Sequence, residues 1–301
     1  MPCFSPLHGN KSADLTANGK RKIVFGGGGF RDLPVTVPCG QCIGCRLERS
    51  RQWALRLTHE AQLHDRKCFL TLTYNDESLP PGGSLRLRDF QLFLKRLRKH
   101  AKTQIRFFHC GEYGESTNRA HYHAIIFGFR PDDLVKHSEN GQGDQLYSSI
   151  LLDKLWGLGQ VRIGEVTFES AAYCARYILK KVTGEKAEAH YRTFDPITGE
   201  VFQRVPPYVT MSRRPGIARE WFNKYFTDIY PSDFLILRGK KMLPPKFYDR
   251  VYAGFDLKAV ERLKFQRQLK AKPHKADNTP QRLRVREEVK RSQIKTLTRN
   301  L

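Results

Sequence analysis

Acidic residues are in short supply in this chain. Aspartate and glutamate total 30 against 53 lysines and arginines, a formal net charge of +23 over 301 residues. A field of that sign attracts polyanions, and nucleic acid is the usual one for a basic protein. A ribosome-like or aggregation-resistant surface would carry the same charge, so charge alone identifies no chemistry. Long apolar runs are also missing. None approaches the roughly 18 residues of an α-helical membrane span, so no membrane partner is expected. The opening residues "MPCFSPLHGNKSADL" lack the apolar segment of a secretory signal. The seven cysteines are odd in number, so thiols free or on metal in a reducing compartment are expected rather than a disulfide framework. There is no G-x4-G-K-[ST] phosphate loop and no internal repeat. The length accommodates one large core plus an appendage, but does not separate one domain from two.

What is present orders itself along the chain. Residues 1–38 read as loosely structured, with four consecutive glycines in "FGGGGF". Residues 46–64 read as a helix, with Leu47, Trp53, Leu57 and Leu63 near one stripe. "KCFLTLTY" (67–74) is rich in β-formers and is closed by the turn-rich "NDESLPPGG". "RLRDFQLFLKRLRKHA" reads as an amphipathic helix with Phe90, Leu94 and Leu97 inside. "QIRFFHCGEYG" and "HYHAIIFGF" are two further strands in a short hairpin. A helix near 145–156, a strand in "GQVRIGEVTF" and a helix over 169–182 follow. The order α-β-α-β-β-α-β-α predicts an α+β fold, an antiparallel sheet with flanking helices in the manner of a ferredoxin-like or RRM-like palm. The hairpin disfavours a doubly wound parallel sheet.

In "NRAHYHAIIFGF" (118–129), His121 and His123 stand two apart at a strand start. Alternate strand residues share a face, so the two imidazoles point the same way, about 7 Å apart along the backbone. They can converge on one ion if a third ligand joins them. Counting back through the hairpin finds Glu112, with Glu115 the next candidate. One carboxylate and two imidazoles with open positions suit Mg²⁺ or Mn²⁺ beside a phosphate. The plainer reading is two hydrogen-bonded histidines at a sheet rim.

Tyr173 and Tyr177 stand four apart in "YCARYILKK", about 40° of rotation and 6 Å of rise on a helix, so both hydroxyls can reach one site. Lys180 follows Tyr177 by one turn, and Arg176 follows Tyr173 likewise. A tyrosine hydroxyl ionises near pH 10 and is a poor nucleophile until a cation or a polarised phosphate assists it. Two tyrosines at the edge of a core would look the same.

Cys39, Cys42 and Cys45 form C-x2-C-x2-C, and Cys3 can complete a four-thiolate zinc site. Unliganded thiols or an iron–sulfur cluster are the alternatives. Cys68, Cys110 and Cys174 read as buried small hydrophobes. From Lys258 to Leu301 there are seven lysines and seven arginines against four acidic residues, a net of +10. This tail reads as one or two polar helices broken at "KPHKADNTPQ". It is either a solvated face or a phosphate-contacting arm.

Together, "VPCGQCIGCRLERSRQWALRLTHE", "FLTLTYND", "AHYHAIIFG", "YCARYILKK" and "SRRPGIAREW" resemble the HUH endonucleases, and within them the replication initiators of gokushovirus-like microviruses. The resemblance covers roughly residues 35–225. The middle residue of the histidine motif, Tyr122, is amphipathic rather than aliphatic. The resemblance implies a metal held by Glu112, His121 and His123. It implies attack by Tyr173 or Tyr177 on a scissile phosphate, leaving a 5′-phosphotyrosine and a free 3′-hydroxyl, with the second tyrosine closing the cycle. It also implies single-stranded DNA and a replication origin as partners, with a host helicase and DNA polymerase, in the bacterial cytoplasm. The expected division is an N-terminal cysteine segment (1–45), an endonuclease domain (46–235) and a basic tail (236–301). A non-catalytic single-strand binding or packaging protein would share the palm and the charge. A transposase of the same superfamily would share the site but usually shows one tyrosine.

Overall fold

The computed structural model describes residues 3–17, 19–114, 117–141, 143–176, 186–194 and 198–296. In chain order the elements are β1 (Leu7–Leu15), β2 (Arg21–Val24), β3 (Phe30–Val37), α1 (Ile43–Ala61), β4 (Lys67–Tyr74), α2 (Leu87–Ala101), β5 (Arg106–Tyr113), β6 (Ala120–Phe127), β7 (Val135–Glu139) and β8 (Gln145–Ser148). Then come α3 (Ile150–Trp156), β9 (Gly159–Gly164), α4 (Phe168–Arg176), α5 (Lys186–Tyr191), β10 (Arg192–Phe194), β11 (Val201–Gln203) and β12 (Tyr208–Met211). The chain continues through α6 (Arg219–Ile229), β13 (Leu235–Leu237), β14 (Lys240–Met242), α7 (Lys246–Tyr252), α8 (Leu257–Ala271) and α9 (Pro280–Lys295). Two compact units result, Met1–Arg49 with Lys264–Arg299, and Ser50–Leu263. No helix among the described residues is long and apolar enough to cross a membrane.

The larger unit is organised by a seven-stranded sheet in the order β12-β5-β6-β4-β9-β8-β7. Every neighbouring pair is antiparallel. Within it, β4-α2-β5-β6-α3-β9 is a βαββαβ unit, with its first strand, β4, paired between β6 and β9. That is the ferredoxin-like arrangement the sequence predicts. The alternation in "KCFLTLTY" explains β4: Cys68, Leu70, Leu72 and Tyr74 are buried and the residues between them half-buried. They meet Phe90, Phe93 and Leu97 of α2, and Leu152 and Trp156 of α3, in one core. Fully burying each such side chain stabilises the fold by about 1.5–3 kcal/mol. The opposite face packs Phe108, Ile125 and Phe127 against Leu55 and Leu57 of α1, Phe222 of α6 and Tyr248 of α7.

Two segments differ from their sequence reading. Residues 145–156 are a strand followed by a helix, not one helix. Ser149 divides them: its hydroxyl accepts from the Leu152 amide at 3.1 Å, which starts α3. In the smaller unit, residues 7–37 form a three-stranded antiparallel sheet, order β2-β1-β3, rather than loose structure. Its strands bury almost nothing but Ser12, so the apolar alternation that advertises a strand is missing. The glycine run serves the turn between β2 and β3, where Gly26, Gly27 and Gly29 all have positive φ. The tail follows its sequence reading: α8 ends at Ala271, and α9 begins at Pro280 behind a Thr279 cap.

Candidate active site

The hairpin β5–β6 sets Glu112 opposite His121 and Cys110 opposite His123. Because the strand period is two, Glu112, His121 and His123 project from one face. Their ligand atoms converge: the Nε2 atoms of His121 and His123 each lie 2.9 Å from Glu112 Oε1. Adjacent ligands of a small octahedral cation, bound at about 2.1 Å, stand about 3 Å apart, so this donor set fits such an ion. Glu112 and His123 are buried and His121 is half-buried. Burial alone would raise the Glu112 carboxyl. The hydrogen bonds and charges of His121 and His123 overturn that and hold it below the ordinary carboxylate range.

Outer contacts fix the imidazoles. His121 Nδ1 is 3.0 Å from the Arg119 carbonyl oxygen. A carbonyl only accepts, so Nδ1 carries the proton and a neutral ring turns its Nε2 lone pair toward Glu112. Lone pair then faces carboxylate, an arrangement that calls for a cation between them or a second proton on the ring. His123 Nδ1 is 3.0 Å from Thr71 Oγ1, set opposite it on β4. Such contacts hold metal-ligating histidines in orientation.

Tyr173 comes from α4. That helix starts where the Thr167 amide donates to Ser170 Oγ (2.8 Å) and the Ser170 amide donates to Thr167 Oγ1 (3.1 Å). The Tyr173 ring stands edge-on to His123, centroids 5.0 Å apart, and Phe69 packs near both. The Arg176 guanidinium lies 5.6 Å from the Tyr173 ring centroid. Tyr177, Lys180 and the reserve ligand Glu115 lie outside the described residues. A cavity of about 560 Å³ adjoins the cluster and is lined by His121, His123, Tyr173, Thr71, Arg162 and Tyr147 among others. Sequence reasoning missed Thr71, Phe69 and Arg162. The alternation in "KCFLTLTY" could have placed Phe69 and Thr71 on one face, but not beside His123.

The cysteine cluster lies in the other unit. Cys3, Cys39, Cys42 and Cys45 have sulfurs within 4.8 Å of one another. The Sγ separations of 3.7 Å (Cys3–Cys39) and 4.0 Å (Cys3–Cys42) far exceed the roughly 2.05 Å of a disulfide. They match the edge of about 3.8 Å expected for a tetrahedron with zinc–sulfur bonds of about 2.3 Å. Backbone amides aim at the sulfurs: Phe4 N–H to Cys42, and Cys42 and Gln41 N–H to Cys39, at 3.2–3.4 Å. Burial raises the Cys42 thiol, but the Phe4 and Cys45 amides and neighbouring thiols outweigh it and bring it to about 7. Burial raises Cys3 and Cys45. Cys68, Cys110 and Cys174 are buried in the larger unit, as expected.

Comparison with known proteins places this geometry in context. The family model described as "Replication-associated protein ORF2/G2P" matches residues 67–182. The chain is 36% identical over 263 residues to replication-associated protein VP4 of Bdellovibrio phage phiMH2K, covering 84% of this chain and 77% of that protein. It is 32% identical to replication-associated protein ORF2 of Spiroplasma virus 4, covering 71% and 67% respectively. It is 35% identical to replication-associated protein ORF4 of Chlamydia phage 1 over 48% of this chain and 38% of that one. No solved structure matches significantly.

Proposed function

This chain belongs to the replication-associated proteins of small phages, and from that premise we propose that it starts and ends rolling-circle replication by nicking and rejoining origin DNA. One observation carries the reading: a carboxylate and two imidazoles meet at 2.9 Å on a sheet face, with a tyrosine ring 5.0 Å from one of them. A protein that only binds single strands has no need of that juxtaposition.

Glu112, His121 and His123 would hold Mg²⁺ or Mn²⁺, which polarises a phosphate and offsets its charge. Tyr173 or Tyr177 is the nucleophile, and the ring of Tyr173 lies beside His123. The attacking hydroxyl oxygen forms a bond to phosphorus as the bond to the 3′ oxygen breaks. The phenol loses its proton, and the departing oxygen takes one up as a free 3′-hydroxyl. The protein is left on the 5′-phosphate. Arg176 brings positive charge to a step in which negative charge gathers on the phosphoryl oxygens. The other tyrosine of the pair takes the second cut after one round, with Lys180, three residues after Tyr177 in the sequence, as a second cation. The 3′-hydroxyl freed by that second cut then attacks the first phosphotyrosine, releases its phenol and reseals the circle. The ester keeps the energy for rejoining, so joining needs no ATP. In the bacterial cytoplasm a host helicase would unwind and a host polymerase would extend the 3′ end. The nicking chemistry belongs to residues 46–235, and the tail from 236 adds basic charge. The Cys3, Cys39, Cys42 and Cys45 cluster holds a structural Zn²⁺ in the N-terminal segment.

The test is incubation of the full chain with Mn²⁺ and labelled, overlapping single-stranded fragments of its phage genome. A denaturant-resistant protein–DNA adduct should form on one fragment and vanish in His123→Ala. Binding without any adduct would favour a non-catalytic single-strand binding or packaging protein.

A further inference from the structure

The stretch "SRRPG" (212–216) has no part in the chemistry above, yet its backbone is fastened from three sides. The Ser212 amide donates to the Phe107 carbonyl at 2.9 Å, and the Phe107 amide donates back to Ser212 Oγ at 3.1 Å. Arg106 Nη2 donates to the Pro215 carbonyl at 3.0 Å, and Arg56 donates to the Ile217 carbonyl at 2.9 and 3.2 Å. Arg213 and Arg214 are exposed and take part in none of the ion pairs found among the described residues. With the exposed Arg98 they line a cavity of about 480 Å³, which Thr103, Gln104 and Ser212 also border. No carboxylate lines it. The fourth arginine there, Arg106, is buried and neutralised by Glu60.

Three guanidiniums with no carboxylate partner among the described residues form a phosphate receptor: Arg presents a planar fork that matches phosphate oxygens, the backbone carrying Arg213 and Arg214 is already fixed, and Arg98 Nη2 donates to the Ile105 carbonyl at 3.3 Å, which holds that side chain beside them. Arg106 opens β5 and Glu112 lies six residues on, about 20 Å away at roughly 3.3 Å per residue. One phosphate cannot reach both places. We propose that Arg98, Arg213 and Arg214 form a second phosphate subsite for the backbone of single-stranded DNA, about 20 Å from the Glu112–His121–His123 cluster. It positions the strand and does not read its bases. This deepens the nicking proposal, but its test is independent of cleavage.

The experiment is fluorescence anisotropy on the full chain without added Mg²⁺ or Mn²⁺, across a salt series. It uses a single-stranded oligonucleotide from the phage genome as the cognate sequence and a scrambled one of the same composition. Arg213→Gln/Arg214→Gln should lower the slope of log K against log salt by about 1.4, two contacts at roughly 0.7 each. Affinity should fall on the order of tenfold at 0.1 M salt, equally for both oligonucleotides. Arg213→Lys/Arg214→Lys should keep most of the slope. The exposed pair Lys240→Gln/Lys241→Gln removes the same charge elsewhere and should move the slope far less. An unchanged slope in the arginine double variant, or an equal change in the lysine control, would overturn the subsite. So would a loss confined to the cognate sequence. A failure of nicking with these shifts intact would leave the subsite standing and sink only the catalytic reading.

Discussion

Replacing Glu60 with glutamine should cost the fold about 3–5 kcal/mol, the usual effect of stripping one partner from a buried ion pair. Glu60 and Arg106 are both almost fully buried, 2% and 5% exposed, and their side chains are in direct contact. The carboxylate also accepts from the Ala218 amide and faces His64 Nε2 at 3.4 Å. One side chain on α1 therefore ties β5 to the segment before α6. Glutamine keeps the shape but leaves Arg106 charged, buried and without its carboxylate. At roughly 2–4 °C per kcal/mol for a unit of this size, the melting temperature should fall by about 10 °C. Removing both charges, as in Glu60→Gln/Arg106→Met, should recover most of that loss, because no unpaired charge remains. pH adds a second readout. Burial raises the Glu60 carboxyl, but its partners outweigh this and hold it below its ordinary 4.5. Its contribution is therefore present above about pH 4.5 and is lost as pH falls through the lower folded value. The wild type should lose stability over that acid range more steeply than Glu60→Gln. Urea melts at pH 7 and across pH 3–5 measure both effects. A cost below about 1 kcal/mol, or a double variant no better than the single one, would show that the Glu60–Arg106 pair does not hold this part of the fold.

Alanine at His121 or His123 should remove most adduct formation, and Glu112→Ala should shift the preference between Mg²⁺ and Mn²⁺; an unchanged metal profile in Glu112→Ala would move the third ligand elsewhere. The purified chain should carry zinc near one per molecule, lost on Cys42→Ser, and elemental analysis finding none would remove the structural zinc. Val260, Leu263 and Leu283 are buried, so the tail is better tested by neutralisation than by truncation. Glutamine at exposed Lys264, Lys270, Lys275 and Arg284 should flatten the salt slope by about 3 units if each contacts a phosphate. An identical slope would make the tail a solvated surface.

The βαββαβ unit is legible because its elements carry strong periods: two in "KCFLTLTY", 3.6 in "RLRDFQLFLKRLRKHA". The strand Tyr208–Met211 and the hairpin Val135–Ser148 are not. They are short, and β7 is exposed along its whole length, so no apolar pattern marks it. The same physics separates site residues. His121, His123 and Glu112 belong to one hairpin, where counting through the turn gives register. Thr71 and Arg162 reach the site through β4–β6 and β4–β9 pairing, which is set by crossovers through α2 and α3 and leaves no local trace. Cys3 meets Cys39 across 36 residues, and only the chemistry of three closely spaced thiols hints at a fourth.

Nicking by the proposed route links Tyr173 or Tyr177 covalently to DNA. Mass spectrometry of nuclease-trimmed, protease-digested adduct measures this directly. A nucleotide mass is expected on the peptide containing Tyr173 or Tyr177, with no adduct from Tyr173→Phe/Tyr177→Phe although that variant still binds the fragment. Nucleotide on any other residue, or an adduct that persists in the double variant, would contradict it.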